Sequence, residues 1–195
     1  MAQTLGELIE SNKAKLEAAL PKQIPVDLFT QVVLTEVRRN KDLQACSAVS
    51  IAKCMIQSAQ LGLVPDSLRG HAYLVPYKQE CTLIPGYRGL IDLAYRSGKV
   101  VLVDATVWYD SDVFAMTKGS SPNLVHVPKL PRPEGALVVG AYCVVFQSEG
   151  RPALFDAMDM PELEAIRKRS QAGKNNNGPW GTDPNEMRKK TITRR

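Results

Sequence analysis

Between Val100 and Asp156 the chain alternates strand-forming runs with turns too short to hold a crossover helix, and this restricts the fold more than any other feature. Parallel neighbours need a connection of about a dozen residues or more. The runs Val100–Tyr109, Val113–Thr117, Leu124–Val127, Ala136–Gln147 and Pro152–Asp156 are instead separated by Asp110–Ser111–Asp112, by a Gly/Ser/Pro loop at 119–122 and by Ser148–Glu149–Gly150. The one longer connection, 128–135, carries Pro131 and Pro133 and cannot be a central strand. The sheet is therefore expected to be antiparallel, in an α+β rather than a doubly wound fold.

Upstream, Tyr73–Lys99 reads as a strand pair feeding a helix. Tyr73–Tyr77 and Cys81–Pro85 flank the polar corner Lys78–Gln79–Glu80, a hairpin pattern. Pro85–Gly86 breaks the second strand, and a helix is expected from about Arg88 to a stop at Gly98. Tyr77, Lys78, Tyr87, Arg88, Tyr95, Arg96 and Lys99 surround this unit. Cations interleaved with aromatic rings suit a phosphate backbone with bases beside it.

The N-terminal quarter predicts helices. Thr4 and Glu7 form a capping box for a helix with Leu5, Leu8, Ile9, Leu16 and Leu20 on one side, broken by Pro21. A second helix is expected over 26–39 with Leu28, Phe29, Val32, Val33 and Val37 inward. A third runs over 47–61 and stops at Gly62; its Ser58 and Gln60 read as surface residues. Residues 1–24 are expected to form a helical arm, its apolar face available for contact between subunits, and 25–195 a single α+β domain. Near the C-terminus, Asp159 and Glu162 cap a helix reaching Ser170, 171–181 reads as a loop, and Asp183, Pro184 and Glu186 open a final helix. That helix is still in pattern at Arg195, so a truncated chain is expected.

Charge narrows the function. Residues 165–195 hold nine Lys/Arg against Asp183 and Glu186, giving +7, whereas residues 1–164 hold 16 basic and 18 acidic side chains, giving −2. Excess positive charge gathered in the last sixth of the chain points to a polyanion. The longest stretch without a charge, Gly135–Ser148, has 14 residues and is too short to span a bilayer. Cys46, Cys54, Cys81 and Cys143 lie in apolar segments without CxxC spacing, as buried thiols in a reducing compartment would.

Chemistry is thinly represented. His71 and His126, on expected strands, have no third ligand at metal spacing, and no GxxxxGK[ST] or GxGxxG occurs. Asp110 and Asp112 fit a turn between strands. No catalytic, metal or cofactor residue is assigned. Arg88, Asp92 and Arg96 share one helix face, with Leu90, Ile91, Leu93, Ala94 and Tyr95 expected to be buried behind them. Two readings stay open: a solvated Arg–Asp–Arg ladder, or two guanidiniums held by Asp92 for phosphate. Asn175–Trp180 offers amides and an indole ahead of the basic helix, and Trp180 is either a core anchor or a platform for a base. Trp108, inside a strand, reads as core.

Three blocks in order, GLVP with GHAYLVPY, TLIPGYRGLIDLAYRSGK, and SQAGKNNNGPWGTDPNEMRKKTITRR, resemble the RecT family of phage single-strand annealing proteins, from about Gln31 to the last residue. The resemblance implies an α+β fold with N-terminal helices, a small antiparallel sheet and basic C-terminal helices lining a DNA groove. It implies annealing of complementary DNA strands without ATP, assembly into rings or helical filaments, and action beside a partner exonuclease in a bacterial host cytoplasm. Carried over by position, it implies that Tyr87, Arg88 and Arg96 lie in or near the groove. It further implies that Lys168, Arg169, Trp180, Lys189, Lys190, Arg194 and Arg195 contact phosphates or bases. With Lys78, Lys99 and Asn175 these make the expected nucleic-acid-binding set. Family members continue past the basic helix into a hydrophobic stretch and a tail, where contact with the host single-stranded-DNA-binding protein is expected. The expected ligands are single-stranded DNA and the annealed duplex, with no membrane and no covalent step. A single-stranded nucleic-acid binding protein without annealing activity is the alternative, and a magnesium nuclease using Asp110, Asp112 and a further, unidentified carboxylate is a third.

Overall fold

A computed structural model describes residues 4–175 and 178–195. Its contacts divide the chain into two compact units, one up to Arg96 and one from Ser97 onward.

The first unit contains α1 (Leu5–Ala19), α2 (Val26–Arg39), α3 (Lys41–Gln44), α4 (Ala48–Leu61), β1 (Ala72–Tyr77), β2 (Glu80–Pro85) and α5 (Tyr87–Arg96). The expected capping box opens α1: the Glu7 amide donates to Thr4 Oγ1 at 3.3 Å and the Thr4 amide to Glu7 Oε2 at 2.9 Å. Its apolar side is engaged inside this unit, where Ile9, Leu16 and Leu20 join Phe29, Val33 and Met55 in one core. Leu28, expected inward, is 51% exposed. The buried stripe of α2 is Phe29, Val33 and Val37 at four-residue spacing, and position 28 lies beside it.

Gly62 ends α4 in the left-handed region, φ 63°, as its sequence position predicts. Ser58, read as a surface residue, is instead fully buried, and its hydroxyl donates to the Leu63 carbonyl beyond the helix end. A side-chain donor here pairs a carbonyl that has left the helical ladder. The hairpin docks on α4 through polar contacts: the Cys81 amide donates to Ser50 Oγ at 2.9 Å, and the Ser47 amide to the Gln79 carbonyl at 2.8 Å. Glu80 pairs with Tyr77, so the polar corner shrinks to a two-residue turn at Lys78–Gln79, with Lys78 at φ 57°. His71 lies just ahead of β1, not on it.

The glycines of Pro85–Gly86–Tyr87–Arg88–Gly89 answer to packing. A Cβ on Gly86 would sit 2.0 Å from the Gly70 carbonyl oxygen, and one on Gly89 2.0 Å from that of His71. The first turn of α5 thus rests directly on the backbone at 70–71, held by the Gly86 amide donating to His71 O at 2.9 Å. With Gly89 as the contact face, Leu90 and Tyr95 turn outward and are exposed, against the expectation that they are buried.

The second unit contains β3 (Val100–Tyr109), β4 (Val113–Thr117), β5 (Asn123–Val127), β6 (Val138–Gln147), β7 (Leu154–Asp159), α6 (Met160–Arg167), α7 (Gln171–Lys174), α8 (Pro179–Thr182) and α9 (Pro184–Thr193). Among the described residues all strand pairs are antiparallel, as expected, and they form three separate sheets, β1–β2, β3–β6–β7 and β4–β5. Strand alternation splits the central sheet of this unit into two faces. Val107, Ala141, Cys143 and Met158 meet Leu163 of α6 and Ile192 of α9 in a core. On the opposite face, Trp108 and Tyr142 meet the β4–β5 hairpin, with Trp108 stacked on Phe114 at 4.0 Å between ring centroids. Gly140 makes room for this stack, since a Cβ there would lie 2.1 Å from the Trp108 ring.

Asp112 anchors that hairpin. Its fully buried carboxylate accepts the Tyr109 and Lys129 amides at 2.9 and 3.0 Å and meets His126 Nε2 at 3.1 Å. The other ring nitrogen of His126 is 3.0 Å from the Tyr142 hydroxyl. Burial pushes the Asp112 pKa up, but the two amides, His126 and the Arg132 guanidinium outweigh it and hold the group at about 2. All four cysteines are buried, as expected. Among the described residues no helix is long and apolar enough to cross a membrane.

Candidate nucleic-acid interface

The expected binding residues fall in both units. In the first, Arg88 is exposed and sets its guanidinium 5.9 Å from the Tyr87 ring centroid, with Nε 3.4 Å from the Tyr87 hydroxyl. Hydrogen bonding to that hydroxyl raises its pKa further. The Arg–Asp–Arg ladder is only half formed: Asp92 holds Arg96 at 3.0 Å, while Arg88 turns to Tyr87. Arg96 also donates to the Leu61 carbonyl at 3.1 Å, so its guanidinium closes the end of α4. Lys78 is exposed at the hairpin turn.

In the second unit, Lys99 is exposed just ahead of β3, and its carbonyl accepts the Ser148 amide at 3.0 Å. Lys168 is exposed at the C-cap of α6, and Asn175 is exposed after α7. Lys189 is half-buried and paired to Glu186 at 2.8 Å. The remaining five, Arg169, Trp180, Lys190, Arg194 and Arg195, line one cavity of about 630 Å³.

The cavity follows from helix periodicity. β7 runs directly into α6 through a second capping box, in which the Glu162 amide donates to Asp159 Oδ1 at 2.9 Å. From there Glu162, Ala165, Ile166 and Arg169 repeat at three- and four-residue steps and present one face. Met187, Lys190, Thr191 and Arg194 do the same on α9. Two amphipathic faces thus converge, apolar at depth and cationic at the rim, while Ile192 turns into the core. The stretch expected to be a loop at 171–181 holds two one-turn helices, α7 and α8. Pro179 starts α8 at a position where proline is tolerated, which puts Trp180 against α6. Asn176 and Asn177, named in the same stretch, lie outside the described residues.

Trp180 is 6% exposed, with the Arg167 guanidinium 5.5 Å from its ring centroid. It forms a wall of the cavity, not an open platform. Arg195 spans Asp156 and Glu162 at 3.1 and 3.5 Å, whereas Arg169, Lys190 and Arg194 have no ion pair to a carboxylate among the described residues. Three cations crowd one rim without counter-charges of their own, an arrangement that repels itself unless an anion is present. Sequence reasoning does not single out Met158 and Ile166 as lining residues, whereas Met187 and Thr191 belong to the narrow seam that the basic helix leaves for packing.

Both carboxylates of the nuclease reading accept backbone amides. Asp110 Oδ1 accepts the Leu137 amide at 3.1 Å, and Asp112 is held as described above. Among the described residues no group of three or more His, Cys, Asp and Glu could hold a metal ion.

A family model described as the RecT family matches residues 27–195. The chain is also 38% identical over 193 residues to Protein RecT of Escherichia coli (strain K12), covering 95% of this chain and 70% of that protein. A cationic cavity built on two C-terminal helices is thus found in a chain that belongs to the RecT family of single-strand annealing proteins.

Proposed function

We propose that the protein is an ATP-independent single-strand annealing protein of DNA recombination. It binds single-stranded DNA by neutralising phosphates and contacting bases, and pairs the bound strand with its complement. Family membership supports this reading, and one observation carries it: Arg169, Lys190, Arg194 and Arg195 gathered on a single apolar cavity. Cations that track a backbone beside surfaces for bases give affinity without sequence preference. The exposed Lys78, Arg88, Lys99, Lys168 and Asn175 add further contacts to the strand.

The protein supplies charge neutralisation and geometry, and Watson–Crick pairing supplies the energy of capture. No covalent bond is broken, so it is not an enzyme. It works as an oligomer of its own copies, beside a partner exonuclease and the host single-stranded-DNA-binding protein. Mixing two complementary oligonucleotides with the protein, without ATP, tests the reading. Faster duplex formation than in the protein-free control is expected, and an unchanged rate would overturn it.

A further inference from the structure

We propose that the cavity between α6, α8 and α9 takes one nucleobase drawn out of the stack of a bound DNA strand, with the neighbouring phosphates on Arg169, Lys190 and Arg194. This rests on the single-strand reading above and names what the cavity itself holds.

The rim and the depth of the cavity differ in polarity. A site for phosphates alone would need only the charged rim, yet the cavity continues inward between buried Met158 and Trp180 and the half-buried Ile166 and Met187. Its volume of about 630 Å³ falls within the roughly 300–1,000 Å³ of small-ligand clefts. Polarisable thioethers and an indole suit a flat aromatic group better than a hydrated one. An apolar chamber behind a cationic mouth has the polarity sequence of a nucleotide, base inward and phosphate outward.

One acidic group completes the pattern. Glu162 lies in the wall, its Oε1 held by Arg195 at 3.5 Å and its Oε2 accepting the Asp159 amide at 3.3 Å; each oxygen keeps a second lone pair for an exocyclic amino group. A base in a duplex must unpair and unstack to enter, whereas a single strand offers it far more freely. The cavity therefore selects single strands. It also explains release, because a base claimed by its complement leaves the cavity and the strand loses that hold.

Three probes separate the possibilities, each measured by fluorescence anisotropy with the full chain: an intact single strand, a strand of the same length whose sugars all lack bases, and the matching duplex. The abasic strand should bind roughly tenfold weaker than the intact one, the scale of one lost base contact, with an unchanged salt slope because the phosphates are still held. Equal affinity for intact and abasic strands would overturn the cavity's occupant while leaving single-strand binding standing. No binding of the intact strand would overturn the reading beneath it. Ala165→Phe, placed at an exposed wall position so that folding is preserved, should fill the cavity and bring intact-strand affinity down to the abasic level. If that variant still prefers the intact strand, the base lies elsewhere and the proposal fails.

Discussion

Arg167 places its guanidinium 5.5 Å from the Trp180 ring centroid while pairing with Glu164 at 3.1 Å, so the indole is fixed between α6 and the cavity. A cation on an aromatic face contributes about 0.5–1 kcal/mol at partly open sites, but burial of the ring stabilises the protein more. Trp180→Ala should destabilise the protein by roughly 3–5 kcal/mol, as large-to-small changes in cores do. Trp180→Phe should retain most of that stability. Chemical denaturation of both variants checks this; an alanine variant as stable as the wild type would mean the ring is not part of the core.

Arg169, Lys190 and Arg194 are expected to act on binding and not on folding, because they have no carboxylate partners among the described residues. Each alanine substitution should reduce the salt slope of single-strand binding by about 0.7, the value for one phosphate contact. Lys189→Ala, whose ammonium is already paired with Glu186, should change the slope less. Titrations across a series of salt concentrations measure both.

Asp112 makes a pH-dependent contribution of definite sign. Its folded pKa of about 2 lies below the unfolded value of about 3.9. The stability it provides is therefore complete above about pH 4 and is lost as pH falls towards 2. Subtracting the stability profile of Asp112→Asn from that of the wild type should leave a difference that shrinks over this window. Asp112→Ala should cost roughly 1–3 kcal/mol for the stranded Tyr109 amide alone. A difference profile that stays flat down to pH 2 would contradict the assignment.

Gly89→Ala tests the seat of α5. With His71 O at 2.0 Å from the added Cβ and backbone on both sides, neither partner can give cheaply. A loss of about 1–3 kcal/mol is expected, typical of overpacking. Gly98→Ala meets no neighbouring atom but must keep φ 70°, so its cost is conformational and should be smaller. Thermal unfolding of the two variants ranks them.

Much of the fold is legible in the sequence because its signals are local. Thr4 with Glu7 and Asp159 with Glu162 are three residues apart, and Gly62 marks its own helix end. The antiparallel pairing follows from turn lengths. Part of what escapes depends on partners far along the chain. Asp112 reaches Lys129 across 17 residues, and Arg96 reaches Leu61 across 35. No spacing rule links such pairs. Ser58 reads as a surface residue because its acceptor lies past the helix end, and the Arg88 ladder reads as complete because spacing does not show Tyr87 competing for the guanidinium. For the cavity, the rim cations are visible as charge, but the apolar depth emerges only when α6 and α9 converge.

The central claim is tested most directly by the annealing rate of Arg169→Ala/Lys190→Ala/Arg194→Ala beside the wild type, with matched circular dichroism and thermal unfolding. The triple variant is predicted to fold normally and no longer to accelerate the pairing of complementary strands. A folded triple variant that anneals as fast as the wild type would contradict the claim.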